Sequence, residues 1–226
     1  MNALGTTLET APALRQAIAW TVALLVPIAL VLTAVRLLMT PTYVQIEYST
    51  PGFPPDPFGF TKEDRLYWSQ IAVDYLINAE GISFLGDLRF ENGEPVYNER
   101  ELRHLVDVKN TVKSALAVWY VSLGLLLVLG IGSYFTRNGD AFRLGLSRGG
   151  LLTVLLLGAI ILFVLLAFGV IFVAFHNVFF APGTWTFLYS DTLIRLFPER
   201  FWRDTFIAIG LLAGGTGLAL WFFLKR

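Results

Sequence analysis

Four apolar runs, each about as long as a bilayer is thick, constrain this chain more than any other feature. They fall at Ala17–Thr40, Ser114–Tyr134, Gly149–Phe175 and Thr205–Leu224, and a helix crosses the hydrocarbon with roughly 20 residues. A soluble core cannot absorb runs of that length, so the pattern predicts an all-α membrane protein with four transmembrane helices. The first run is longer than the ~7–15 residues of a signal-peptide apolar region. Its apolar part, Ala17–Leu38, leads into Met39 and Pro41 rather than a small-residue cleavage site, so it is read as a retained anchor. Pro27 inside it is tolerable in a bilayer, where neighbouring helices satisfy the freed carbonyl.

The charges orient these spans. Arg15, Arg137, Arg143, Arg148, Lys225 and Arg226 flank the two termini and the short loop 135–148, whereas Arg195, Arg200 and Arg203 in loop 176–204 are balanced by Asp191, Glu199 and Asp204. Basic residues near span ends favour the cytoplasm. That places the tail 1–16, the loop 135–148 and the C-terminus inside, with segments 41–113 and 176–204 on the extracytoplasmic face. Formal net charge is zero, which gives nucleic acid no basic patch to bind. The chain has no cysteine, so disulfides, thiolate metal sites and thioester chemistry are excluded together.

Segment 41–113 holds twelve of the seventeen acidic residues and reads as a small, mainly helical cap rather than a turn. Pro51-Gly52-Phe53-Pro54-Pro55-Asp56-Pro57 cannot be helix and predicts an extended lead-in. Thr61-Lys62-Glu63-Asp64 resembles a capping box, and apolar residues recur at helical spacing from Trp68 to Ala79, which predicts a helix over 61–78 ended by Gly81. Residues 84–97 with the turn Glu91-Asn92-Gly93-Glu94 are expected as a short hairpin. Asn98 with Glu101 is a second capping signal, opening a helix that continues into span two.

The only two histidines are His104 and His176, and antiparallel spans bring both to one membrane face. Residues three and four away from His104 include Arg100, Glu101 and Asp107. Asp107 or Glu101 is therefore a candidate to hold one imidazole nitrogen and raise the basicity of the other. A surface histidine among charges can also simply form salt bridges. His176 lies in the apolar stretch Phe172–Phe180, where an ionisable group is expensive and a functional candidate by default. The aromatic loop with Trp185, Asp191 and Arg195 suits the headgroup layer, and its charges read first as paired and interfacial. Gly145-Leu146-Ser147-Arg148-Gly149 fits a hydrolase pattern but stands in the basic connector, where a loop is expected instead of a nucleophile elbow. Gly210–Gly214 is a small-residue helix face that speaks to packing. With two histidines, a catalytic metal would need carboxylates to complete its shell; no metal and no cofactor is called for.

In Tyr97-Asn98-Glu99-Arg100-Glu101-Leu102-Arg103-His104-Leu105-Val106-Asp107-Val108-Lys109, and in Phe175-His176-Asn177 with Phe197-Pro198-Glu199, the sequence resembles the bacterial lipoprotein intramolecular transacylases, abbreviated Lit. The resemblance covers most of the chain; the proline-rich run 51–57 stands outside the family's core pattern. It implies a four-span enzyme of the bacterial cytoplasmic membrane that moves the sn-2 acyl chain of a diacylglyceryl-cysteine lipoprotein to the cysteine amino group. It also implies His104 and His176 as the catalytic pair; Tyr97, Asn98, Arg100, Glu101, Arg103, Asp107, Trp185, Asp191 and Arg195 are the candidate supporting or substrate-binding residues around them. The partners implied are the lipoprotein substrate and membrane lipid, and oligomeric state is not indicated. The alternatives are a non-catalytic accessory or sensor whose cap binds a partner, and a two-histidine metal site.

Overall fold

The computed structural model describes residues 12–225. Four of its helices are long and apolar enough to cross a membrane: α1 (Pro12–Leu38), α5 (Glu99–Phe135), α6 (Gly139–Phe179) and α8 (Glu199–Leu224). Between α1 and α5 lie α2 (Pro41–Tyr48), α3 (Lys62–Ile77) and α4 (Ser83–Gly86), and α7 (Thr192–Leu196) precedes α8. Among the described residues there is no strand, only one isolated bridge between Arg89 and Pro95. The protein is an all-α, multi-pass membrane protein.

α6 is the central helix, packed against α1 and α8, and its glycines explain how closely. A Cβ on Gly145 would stand 2.6 Å from Val22 Cβ, and one on Gly149 2.5 Å from Val26 Cβ. Small residues let two backbones approach in lipid, where no hydrophobic effect drives helices together. Gly150 meets the Gly217 backbone of α8 in the same way. The segment 145–149 is therefore helix, not the expected loop, and all of 139–148 forms the first turns of α6. Of the glycines in Gly210–Gly214, Gly210 abuts Ile161 of α6, while Gly214 has nothing within 4 Å. α5 stands against α1, where the Trp119 indole N–H donates to Thr33 Oγ1 at 2.9 Å.

Thr61 and Asp64 form the expected capping box at the start of α3. Asn98 and Glu101 do the same for α5, which runs without a break from the charged segment into the apolar span. Other expectations shift. Helix α1 already includes residues 12–16 of the expected tail, whereas 1–11 lie outside the described residues. Of the hairpin expected over 84–97, the first residues form the short α4 instead, while the turn at Glu91–Glu94 is present, closes a single antiparallel bridge from Arg89 to Pro95 and places Gly93 at a φ of +85° that suits glycine. α2 follows α1 directly, with Thr40 as N-cap and Pro41 at the first helical position, where a missing N–H costs nothing. α8 starts at Glu199, six residues before the expected span. The proline-rich segment is irregular and is pinned by Arg195, whose Nη2 lies 2.9 Å from Asp56 Oδ2 and whose guanidinium lies over the Phe60 ring.

The segments at this end share one apolar core, in which Tyr43, Tyr48, Ala72, Tyr75, Leu85, Tyr97, Leu105, Leu196 and Phe201 pack together. That core seats the N-terminal turns of α5 beside α7.

Candidate active site

Helix phase decides what each residue at the head of α5 can reach. At 100° per residue, Glu101 and Asp107 stand about 60° to either side of His104, and only the Glu101 side is buried: Glu101 is 1% exposed, His104 5%, Leu105 3% and Lys109 4%. Asp107 is exposed, and among the described residues its carboxylate bonds to neither imidazole. Arg103 is exposed too and pairs only with Glu99, at 3.7 Å. These two expected supports point away from the histidines.

Glu101 is buried at the site, but its oxygens are committed elsewhere. Oε2 accepts from the Asn98 N–H at 2.8 Å, closing the cap of α5, and Oε1 accepts from the Leu193 N–H of α7 at 2.6 Å. The expected orienter of histidine is instead a staple between two helix starts. A second tie lies beside it. Asp191 accepts from Arg100 at 3.0 Å, from the Asn98 side chain at 3.2 Å and from the Leu188 N–H at 2.8 Å. Arg100 also lies over the Phe187 ring, 5.6 Å from its centroid.

Through these ties the loop after α6 is folded back onto α5, and the two histidines meet. Their ring centroids are 6.2 Å apart and their planes are inclined by 23°. Phe180 at 4.9 Å and Phe187 at 5.3 Å enclose His104; Phe172 at 4.1 Å and Trp185 at 4.7 Å flank His176. His176 Nδ1 lies 2.8 Å from the Phe172 carbonyl oxygen, which can only accept. Nδ1 therefore carries the proton, and in the neutral ring Nε2 keeps its lone pair. His104 Nδ1, Trp185 Nε1, Tyr97 Oη and Arg100 Nε are shut from solvent with no partner among the described residues.

Tyr97 belongs to the cap core rather than to the ring shell of the histidines. Its hydroxyl pKa is pushed upward by burial and then by the nearby Glu101 carboxylate. Arg195 serves the proline-rich segment through Asp56, whose carboxyl burial would raise. The hydrogen bonds from Arg195 and from the Phe60 N–H outweigh that and hold it below the ordinary carboxylate value. Among the described residues no group of three histidine, cysteine or carboxylate side chains is arranged to hold a metal. Phe172, Phe180 and Phe187, which shape the enclosure, went unassigned in the sequence; the aromatic density of 172–187 was the available signal.

A polytopic helical membrane protein with a histidine pair in an aromatic enclosure, near the adjacent ends of two long helices, is the class this geometry defines. The family model for the lipoprotein intramolecular transacylase Lit matches residues 20–202. An uncharacterized protein of Aquifex aeolicus (strain VF5) is 33% identical over 198 residues, covering 84% of this chain and 88% of that protein. The in meso structure of the membrane integral lipoprotein intramolecular transacylase Lit from Bacillus cereus superposes with a TM-score of 0.80, covering 95% of this chain and 96% of that one at 22% identity. A structure of that protein with a histidine replaced by arginine gives a TM-score of 0.73, again at 22% identity, covering 94% and 91%. The chain belongs to the lipoprotein intramolecular transacylase (Lit) family and is a membrane-embedded enzyme.

Proposed function

We propose that this protein moves the sn-2 acyl chain of a diacylglyceryl-cysteine lipoprotein to the α-amino group of the same cysteine, using His104 and His176 on the extracytoplasmic face of the bacterial cytoplasmic membrane. The neutral amine attacks the ester carbonyl carbon, and the C–O bond to glycerol breaks. An amide forms, and a hydroxyl is left at the sn-2 carbon. His176 Nε2 takes the proton released by the amine, since its tautomer leaves that nitrogen free. The imidazolium formed there passes that proton through the neighbouring His104 imidazole to the departing alkoxide, which returns both rings to their neutral state. Positioned acid–base groups of this kind contribute roughly 10²–10⁴-fold each. Amine and ester belong to one molecule, so holding them in contact supplies much of the remaining rate.

One observation carries this reading: the only two histidines of the chain, 72 positions apart, converge to 6.2 Å in an enclosure of aromatic rings. Arg100, Asn98 and Asp191 support the pair by holding the loop that closes over it.

The test is mass spectrometry of the N-terminal peptide of a reporter lipoprotein, co-expressed with this protein in a host without other N-acylating enzymes. Wild type is expected to yield the N-acyl lyso isomer, and His104→Ala and His176→Ala, at equal membrane levels, to leave the diacylglyceryl form. Full conversion by either variant would remove that histidine from the mechanism.

A further inference from the structure

Acid–base groups alone do not complete this reaction, because negative charge develops on the ester carbonyl oxygen as the amine attacks, and a preorganised donor facing that oxygen is commonly a large source of rate. Resting on the transacylase reading, we propose that Trp185 is a catalytic residue whose indole N–H donates to the oxyanion.

The chain builds this placement from both sides. After α6 the backbone turns back through Ala181–Thr184. Gly183 adopts a left-handed φ of +82°, the Thr184 N–H reaches the Ala181 carbonyl at 3.2 Å, and the Thr184 hydroxyl reaches it at 2.8 Å. The next residue is Trp185, whose ring comes to 4.7 Å from His176 with planes inclined by 37°. Beyond it, Asp191 accepts from the Leu188 N–H at 2.8 Å and from Arg100 at 3.0 Å, fixing the other end of the segment to α5. The indole is thus set against the proposed base by a turn on one side and a polar tie on the other.

Its polar atom has nothing to bind. Trp185 is only half-buried as a residue, but Nε1 is shut from solvent and has no acceptor among the described residues. An indole N–H can only donate, so no rotation or tautomer satisfies it. Buried donors without partners are uncommon in folded chains. The substrate supplies the missing acceptor: the indole ring lies 4.7 Å from the ring of the proposed base, so the carbonyl attacked by an amine held on that base comes beside the indole as well. The other orphaned atoms near the site are placed differently: Tyr97 Oη lies in the cap core, the Arg100 guanidinium is committed to Asp191, and His104 Nδ1 belongs to the proposed proton carrier.

Two replacements isolate the N–H. Trp185→Phe removes it with part of the ring, and the benzothienyl isostere of tryptophan, introduced at position 185 by codon suppression, puts sulfur where the N–H was and keeps the shape. With a purified diacylglyceryl lipopeptide in detergent, both are expected to lower kcat roughly 10²–10³-fold, as for loss of one oxyanion donor, and to leave KM within about threefold because the ground-state carbonyl is bound weakly. A packing role for the ring predicts that the isostere keeps the wild-type rate. That result beside an active wild type overturns the donor role alone; a wild type that forms no N-acyl product overturns the transacylase reading and the donor role with it.

Discussion

Glu101→Gln is the most informative single change to the frame of the site, because the two side chains have one shape and differ in what they can accept. The carboxylate satisfies two backbone N–H groups at once, Asn98 at 2.8 Å and Leu193 at 2.6 Å, and only 1% of the residue is exposed. Glutamine keeps one acceptor oxygen and must turn its NH₂ toward the other N–H, leaving a buried donor facing a donor. A buried group left unsatisfied costs about 1–3 kcal/mol. Taking about 2 kcal/mol, the closed arrangement loses roughly 30-fold in its equilibrium constant. The N-cap of α5 is local and retained by Asn98 itself, so the strain falls on the α7 side. Hydrogen exchange read by mass spectrometry should show residues 188–196 exchanging about 30-fold faster, with peptides from α1, α6 and α8 unchanged. Unchanged protection at Leu193 would refute the staple.

Two further changes test the packing and the cap. Gly150→Ala drives a methyl group into the Gly217 backbone of α8 and should cost about 1–3 kcal/mol, whereas Gly158→Ala meets nothing within 4 Å and should be neutral or stabilising by up to about 1 kcal/mol; thermal unfolding in one detergent ranks them, and equal melting points would contradict the contact. Glu47 of α2 is buried, and that burial, followed by repulsion from Asp204, raises its pKa from 4.5 to about 7. A raised folded-state pKa means that its stability contribution is fully present below pH 4.5 and is lost as pH rises through about 7. Glu47→Gln should therefore flatten the fall in melting temperature between pH 5 and pH 8, and an identical fall in both proteins would exclude Glu47 as its source.

How far the sequence revealed this molecule depends on the range of the signal. Span length is set by bilayer thickness, and capping is set within four residues, so the apolar runs and the caps at Thr61 and Asn98 were legible. That His104 and His176 share one membrane face followed from antiparallel spans; their 6.2 Å approach did not, because it needs the ties from Glu101 and Arg100. Phase was harder. A residue three positions from His104 shares its face only loosely, and which flank is buried depends on Tyr97, Leu105 and Leu196 packing into one core from distant segments. That core buries Glu101 and leaves Asp107 in solvent. The same holds for Gly145 and Gly149: a glycine-rich basic stretch reads as a loop until α1 supplies the valines that need the space. The break in α6 at Ala167, where φ is −151° and ψ 53°, has no proline to announce it.

The distance between the imidazoles poses a mechanical problem that the ties through Glu101 and Asp191 answer. α5 and α6 are joined by only Thr136–Asn138, at the end of the molecule away from the site. At 1.5 Å per residue, His104 stands about 47 Å along α5 from that turn, and His176 lies about 56 Å of helix contour along α6, beyond the break at Ala167. A change of about 5° in the angle between two rods of that length moves their far ends by roughly 4 Å, comparable to the 6.2 Å ring separation itself. The tight glycine contacts of α6 with α1, at Gly145 and Gly149, lie near the turn and have little leverage on the far end. Proton transfer needs heavy atoms within about 2.6–3.2 Å, a tolerance the turn and those contacts cannot enforce alone. Ties at the site end can, and they are present: Glu101 to Leu193, and Arg100 and Asn98 to Asp191, each joining the head of α5 to the segment that follows His176. In the proposed reaction, Glu101 and Arg100 thus act by holding the segment that follows His176 in range of His104 rather than by touching the imidazole.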